Sequence, residues 1–179
     1  PGGEEEQNMT MNQLSKGIHS PPTTSVGRFL DAVSVLLGIC NERTYEGEPA
    51  MKLEAVASRG EAIEIDLPRR KIDNREALDQ SKLLLELINL SERRSKADVA
   101  ATAQWALAKG LAEIGSSQAQ KNNIETVGFS GGVAYNDAIS RVVESTITRH
   151  GLSFVTNESV PVGDGGVAFG QLWVAGRLT

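Results

Sequence analysis

Ile124-Glu125-Thr126-Val127-Gly128-Phe129-Ser130-Gly131-Gly132-Val133-Ala134-Tyr135-Asn136 is the stretch that decides the fold. β-Branched and aromatic residues dominate its first half, which reads as a strand, and glycines end it. Downstream, Asp137 to His150 sets Ile139, Val142, Val143 and Ile147 at helical spacing. Leu152 to Val155 reads as a second strand, Pro161 to Gly166 as a loop, and Val167 to Arg177 as a final apolar helix. The order strand, helix, strand, helix implies a parallel pair with a right-handed crossover.

Upstream of the polar Lys121-Asn122-Asn123 lies a helical section. Leu78 to Leu90 is Leu-rich at helical spacing, and Lys96 to Gln120 forms a longer helix with Val99, Ala103, Ala106, Leu107, Leu111 and Ile114 inward. Ile63 and Ile65 alternate with Glu64 and Asp66, the pattern of a short half-buried strand. A helix from about Ala50 ends at Gly60, and another begins at Val26 with Phe29, Leu30, Val33, Leu36 and Leu37 on one face and Gly38 at its C-cap. Residues 1–22 are polar, end in Ser20-Pro21-Pro22 and read as an irregular N-terminal segment. Residues 23–179 then form one unit, helical over 23–120 and α/β over 121–179, with no internal repeat.

Composition narrows the function. With 179 residues and 40% hydrophobic content the chain can bury one substantial core. Eighteen basic against 23 acidic residues give a net charge of −5, and no basic stripe interleaved with aromatics is present, which argues against nucleic acid. The lone Cys40 makes no internal disulfide, and Cys-x-x-Cys pairs are absent, as in a reducing, cytoplasmic setting. No segment approaches the ~20 apolar residues of a membrane span. Position 1 is proline, so the sequence is expected to be a piece of a longer chain. His19 and His150 are too isolated to form a metal pair and are expected at the surface.

Three segments carry chemistry. At Ser130-Gly131-Gly132, glycines let backbone N–H groups approach a ligand, and a following helix start favours an anion such as phosphate. Asn136 lies one turn on, within reach of a ribose hydroxyl or phosphate oxygen. The same glycines also suit a plain packing turn. In Gly163-Asp164-Gly165-Gly166, a carboxylate stands at the end of the next strand, where open α/β sheets bind ligands. Beside phosphates it would hold a divalent metal; alternatively it caps the last helix. Asp31 sits in an otherwise apolar helix and needs a partner, either a nucleotide ribose or Arg28 three residues earlier.

Together Ser20-Pro21 with Thr24-Ser25, Gly27-Arg28 and Asp31-Ala32, then Tyr45-Glu46-Gly47, then Ser130-Gly131-Gly132-Val133 with Asn136, then Pro161, Gly163-Asp164-Gly165-Gly166, Ala168 and Gly170-Gln171 resemble the HypF-type carbamoyltransferases, in order and at similar spacing, over residues 12–178. The resemblance implies the C-terminal part of such an enzyme. That domain is similar to the enzyme of tRNA threonylcarbamoyladenosine synthesis and has the actin/Hsp70/sugar-kinase (ribonuclease H-like) fold, here an α/β lobe with a parallel strand pair plus a helical subdomain. It further implies that ATP and carbamoyl phosphate yield carbamoyl-adenylate in a separate domain, and that this one passes the carbamoyl group to the terminal cysteine of a HypE-type partner in [NiFe] hydrogenase maturation. Carried over by motif, Ser130, Gly131, Gly132 and Asn136 contact the nucleotide, Asp31, Glu46 and Glu54 lie on the ribose side, and Asp164 binds a divalent metal. No catalytic residue is assigned.

Departures from the pattern matter. The family's metal-binding histidines are absent from residues 1–26, as are its acylphosphatase-like, zinc-finger and adenylate-forming domains. Ala103-Gln104-Trp105 stands where the family often carries Phe-His or Phe-Gln. The isolated chain is therefore expected to bind rather than turn over, and its uncovered apolar surface to favour a homo-oligomer. Two other readings stay open: a non-catalytic nucleotide-binding or partner-docking module, and an actin- or sugar-kinase-like enzyme with a sugar or tRNA-base acceptor.

Overall fold

The computed structural model describes residues 3–177. Its elements are α1 (Gly3–Lys16), α2 (Val26–Leu36), α3 (Glu48–Ala57), β1 (Arg69–Ile72), β2 (Arg75–Leu78), α4 (Gln80–Ser91), α5 (Lys96–Lys121), β3 (Thr126–Phe129), α6 (Asp137–Arg149), β4 (Ser153–Thr156) and α7 (Asp164–Ala175). A single 3₁₀ turn, Gly132–Tyr135, separates β3 from α6.

Helix α5 organises the core. Val99, Ala100, Ala103 and Ala106 are fully buried, and the run of small residues lets α3 and α6 approach it closely. Leu53 of α3, Leu83 and Leu87 of α4, Leu107 of α5 and Ile147 of α6 fill the gaps with almost no exposure. Burying each such side chain stabilises the fold by about 1.5–3 kcal/mol. The helix starts are capped as their sequences dictate: Ser25, Asp79, Ser95 and Asn136 accept from the N–H groups of Arg28, Lys82, Asp98 and Ile139. Such caps contribute about 0.5–2 kcal/mol apiece.

β3 and β4 pair in parallel, with Val127 opposite Phe154 and Phe129 opposite Thr156. This is the expected α/β arrangement, with α6 as the crossover.

Four expectations need correction. Residues 3–16 are helical: Glu4, Glu5 and Glu6 suit the positive end of a helix, yet none of α1 is buried. Ile63 and Ile65 do turn inward, but pair with no strand; residues 61–67 form an extended strap along α5, with Glu61 N–H donating to Asp98 and Ile63 N–H to Thr102. The strands of this region are instead β1 and β2, an antiparallel hairpin closed by Asp73 and Asn74, both at positive φ as a type I′ turn demands. Leu36 and Leu111, both expected inward, are 39% and 40% exposed.

Arg69 ties the hairpin to α5, reaching Glu76 at 2.9 Å and Glu113 at 2.6 Å. The final apolar helix α7 lies open, with Val167, Phe169, Leu172, Trp173 and Val174 all more than half exposed. No helix among the described residues is long and apolar enough to cross a membrane.

Candidate functional site

Strand β3 delivers Ser130, and the chain then turns at Gly131, whose φ of 105° no L side chain adopts without strain. Strand β4 ends at Thr156, the register partner of Phe129, and delivers Asn157. The two outgoing loops are fastened together. Thr156 Oγ1 donates to the Phe129 carbonyl at 3.0 Å, Ser130 Oγ lies 2.8 Å from Asn157 Oδ1, and Gly131 N–H donates to the Val162 carbonyl at 2.7 Å. Beyond them Gly166 passes so near the Pro161 carbonyl that a Cβ there would lie 2.3 Å from its oxygen.

These loops border a half-open cavity of about 300 Å³ lined by Ser130, Gly131, Asn157, Val162, Asp164 and Gly166. Two of the expected segments therefore do converge. A second, more open cleft of about 550 Å³ lies on the other side of the 157–162 loop, but Asp137, Glu144 and Glu158 line it. Three carboxylates make that cleft unfavourable for a phosphate, so the smaller cavity is the candidate anion site.

The remaining residues fall as follows. Asp164 is the first residue of α7, but Gly163 holds the cap position and no side-chain cap bond forms, so capping does not explain the aspartate. Asn136 is buried at the start of α6, where its Oδ1 accepts from Ile139 N–H at 2.9 Å, leaving only its Nδ2 for a ligand. Gly132 opens the 3₁₀ turn, with open space where a Cβ would stand. Asp31 is half-buried on α2, which packs against that turn, and forms no ion pair with Arg28.

Glu54, on α3, lies beside Asp137 at the start of α6. Partial burial raises its pKa, the Asp137 charge adds to the rise, and the Asp137 backbone N–H opposes it. Glu46 stands exposed on the turn before α3 and makes no side-chain hydrogen bond or ion pair among the described residues. His19 and His150 are exposed, as expected. Gln104 is 2% exposed with Nε2 unpartnered, and Trp105 lies beneath the Lys109 ammonium, 4.6 Å from the ring centre.

Asn157 was missed by sequence reasoning. The signal was available: it is the first residue past the second parallel strand, as Ser130 is past the first.

Residues 2–171 match the family described as "Carbamoyltransferase, Kae1-like Domain, second subdomain". The chain belongs to the HypF carbamoyltransferase family. It is 40% identical over 171 residues to the probable carbamoyltransferase HypF of Methanocaldococcus jannaschii, covering 94% of this chain and 22% of that protein. The solved HypF of T. kodakarensis superposes with a TM-score of 0.85 at 38% identity, over 97% of this chain and 22% of the other. A full-length HypF solved in a phosphate- and nucleotide-bound form shares the fold, with a TM-score of 0.87 at 24% identity over 99% of this chain and 23% of the other. The chain thus spans about a fifth of the length of these HypF proteins.

The HypF assignment makes the cavity between the two loops the site to test. Among the described residues no group of three or more His, Cys, Asp or Glu is arranged to hold a metal ion. Asp164 by itself does not build a metal centre.

Proposed function

We propose that this chain supplies one wall of the adenine-nucleotide site of a HypF-type carbamoyltransferase, which transfers the carbamoyl group of carbamoyl-adenylate to the terminal cysteine of a HypE-type partner. The observation that carries this reading is the convergence of the glycine loop and Asp164 on one cavity at the carboxyl ends of two parallel strands. A HypF solved with phosphate and nucleotide bound lends it support.

In this reading Gly132, next to Gly131 at the edge of that cavity, offers its backbone N–H to the phosphates, and Asn136, farther along, adds its Nδ2. Asp31, Glu46 and Glu54 serve the ribose side, where carboxylates accept from hydroxyls. Asp164 would be this chain's ligand to a divalent cation, which would offset the charge of the phosphates. The remaining domains of the protein are partners in the same sense, and the open apolar face of α7 is where they would pack.

Calorimetry with ATP or AMP and Mg²⁺ tests the site. Gly132→Asp adds a negative charge where the structure has room for it. It is expected to weaken binding at least about tenfold, which is about 1.4 kcal/mol, while Gly132→Ala binds near the wild-type level. Equal affinity of wild type and Gly132→Asp rejects the phosphate cradle.

A further inference from the structure

Ser130 has one hydroxyl proton, and the chain already engages it. Its Oγ lies 2.8 Å from Asn157 Oδ1, an atom that only accepts, and 3.2 Å from the Val162 carbonyl. The Gly131 N–H is engaged too, by that same carbonyl. Two donors that a glycine loop would offer an anion are therefore turned inward, and a fully ionised phosphate oxygen needs donors. On this side of the cavity the side-chain amide of Asn157 still has one to give. Its Oδ1 faces Ser130, while Nδ2 has no partner among the described residues, and the residue is exposed and lines the cavity with Gly131 and Asp164.

We infer that Asn157 is both the latch of the glycine loop and a ligand-binding residue: its Oδ1 holds the Ser130 hydroxyl, and its Nδ2 donates to an anionic oxygen of the bound nucleotide. Ser130 then orients the loop and does not itself donate to phosphate. The parallel register makes this geometry a property of the fold. Phe129 pairs with Thr156, so the next residue on each strand, Ser130 and Asn157, meet as the chains leave the sheet. Val162 extends the latch toward Asp164, so the two loops are set against each other by the same contacts that consume the Ser130 and Gly131 donors.

The inference rests on the nucleotide reading above, and three variants separate the two. Asn157→Asp keeps an acceptor for Ser130 but replaces the donor with a charged oxygen; Ser130→Ala removes the latch alone; Asn157→Ala removes both. ATP affinity by calorimetry and hydrogen exchange at the Gly131 amide are the readouts. Asn157→Asp is expected to keep the Gly131 amide protected and to lose ATP affinity at least about tenfold. Ser130→Ala and Asn157→Ala are expected to accelerate Gly131 exchange, by up to about tenfold for one ordinary hydrogen bond.

Wild-type affinity in Asn157→Asp, with Gly132→Asp impaired, overturns the donor role and leaves the nucleotide reading standing. Unchanged Gly131 exchange in both alanine variants overturns the latch. A wild-type chain that binds no ATP overturns the nucleotide reading and the donor role together, and the exchange rates still decide the latch.

Discussion

Glu48 Oε1 lies 2.7 Å from Lys52 Nζ one helical turn on, while its other oxygen accepts from the backbone N–H and hydroxyl of Thr44. One buried side chain thus fastens the turn that carries Glu46 to the start of α3. The Glu48 carboxyl is lowered from 4.5 to about 2, chiefly by the Lys52 hydrogen bond and then by the Thr44 amide. A carboxyl whose folded pKa lies below its unfolded value stabilises the fold fully above the unfolded value and loses that contribution as pH falls through the folded one. Melting temperature is therefore expected to fall from pH 4.5 toward pH 2, and Glu48→Gln to reduce that slope. Thermal melts of both proteins across the window check this; superimposable pH profiles argue against the Glu48 contacts as the source of the acid sensitivity.

Thr102 is fully buried on α5, and its hydroxyl accepts from Ile63 N–H at 2.9 Å while donating to the Asp98 carbonyl at 2.7 Å. Thr102→Val keeps the shape and removes the acceptor. An unsatisfied amide costs about 1–3 kcal/mol, so the urea midpoint is expected to drop and the Ile63 amide to exchange faster. A variant with unchanged stability and unchanged exchange shows that the strap is held by side-chain packing alone.

What the sequence made legible follows from what each residue buries. Helices α2 to α6 carry apolar faces at helical spacing, and the β3–β4 pair is bracketed by glycine loops, so their period exposes them. The hairpin escaped because Arg69, Arg70 and Lys71 leave β1 without a buried residue to mark it, although the Asp73-Asn74 pair was a turn signal in plain sight. The strap kept the alternation of a strand and found side-chain acceptors in place of a ladder. Helix α1 has no buried residue, and only its charges mark it. At the site, Ser130, Gly131 and Asp164 were readable as motifs, whereas Asn157 acquires meaning only through strand register.

Gly60 and Gly110 look alike in sequence and differ in consequence. A Cβ at Gly60 would stand 2.2 Å from the backbone carbonyl carbon of Ala97 and 2.5 Å from the Asp98 nitrogen, neither of which can move without shifting the start of α5. At Gly110 the nearest atom is Leu78 Cδ1 at 2.8 Å, the end of a side chain that can change rotamer. Gly60→Ala is expected to cost about 1–3 kcal/mol or more, as overpacking against fixed atoms does. Gly110→Ala combines a smaller clash with up to about 1 kcal/mol of improved helix propensity. Denaturant melts should rank Gly60→Ala well below Gly110→Ala, and the reverse order would show that α5 yields more readily than the Leu78 contact.

Helix α7 is apolar and uncovered: Leu172 is 74% exposed, and Phe169, Trp173 and Val174 each 53%. Contiguous apolar patches of more than a few hundred Å² mark surfaces that associate, so the chain by itself is expected to self-associate as its concentration rises. Leu172 is the residue to change. Trp173 already has the Arg177 guanidinium over its ring, 3.9 Å from the centre, which covers part of its surface. Because Leu172 buries little, Leu172→Glu should leave folding stability within about 0.5 kcal/mol. A glutamate there places a charge in the middle of the patch, where a partner surface would have to desolvate it. Sedimentation of wild type and variant over a concentration series is expected to show association in the first and a shift to monomer in the second. Equal association of the two, at equal stability, would place the self-contact on another face of the molecule.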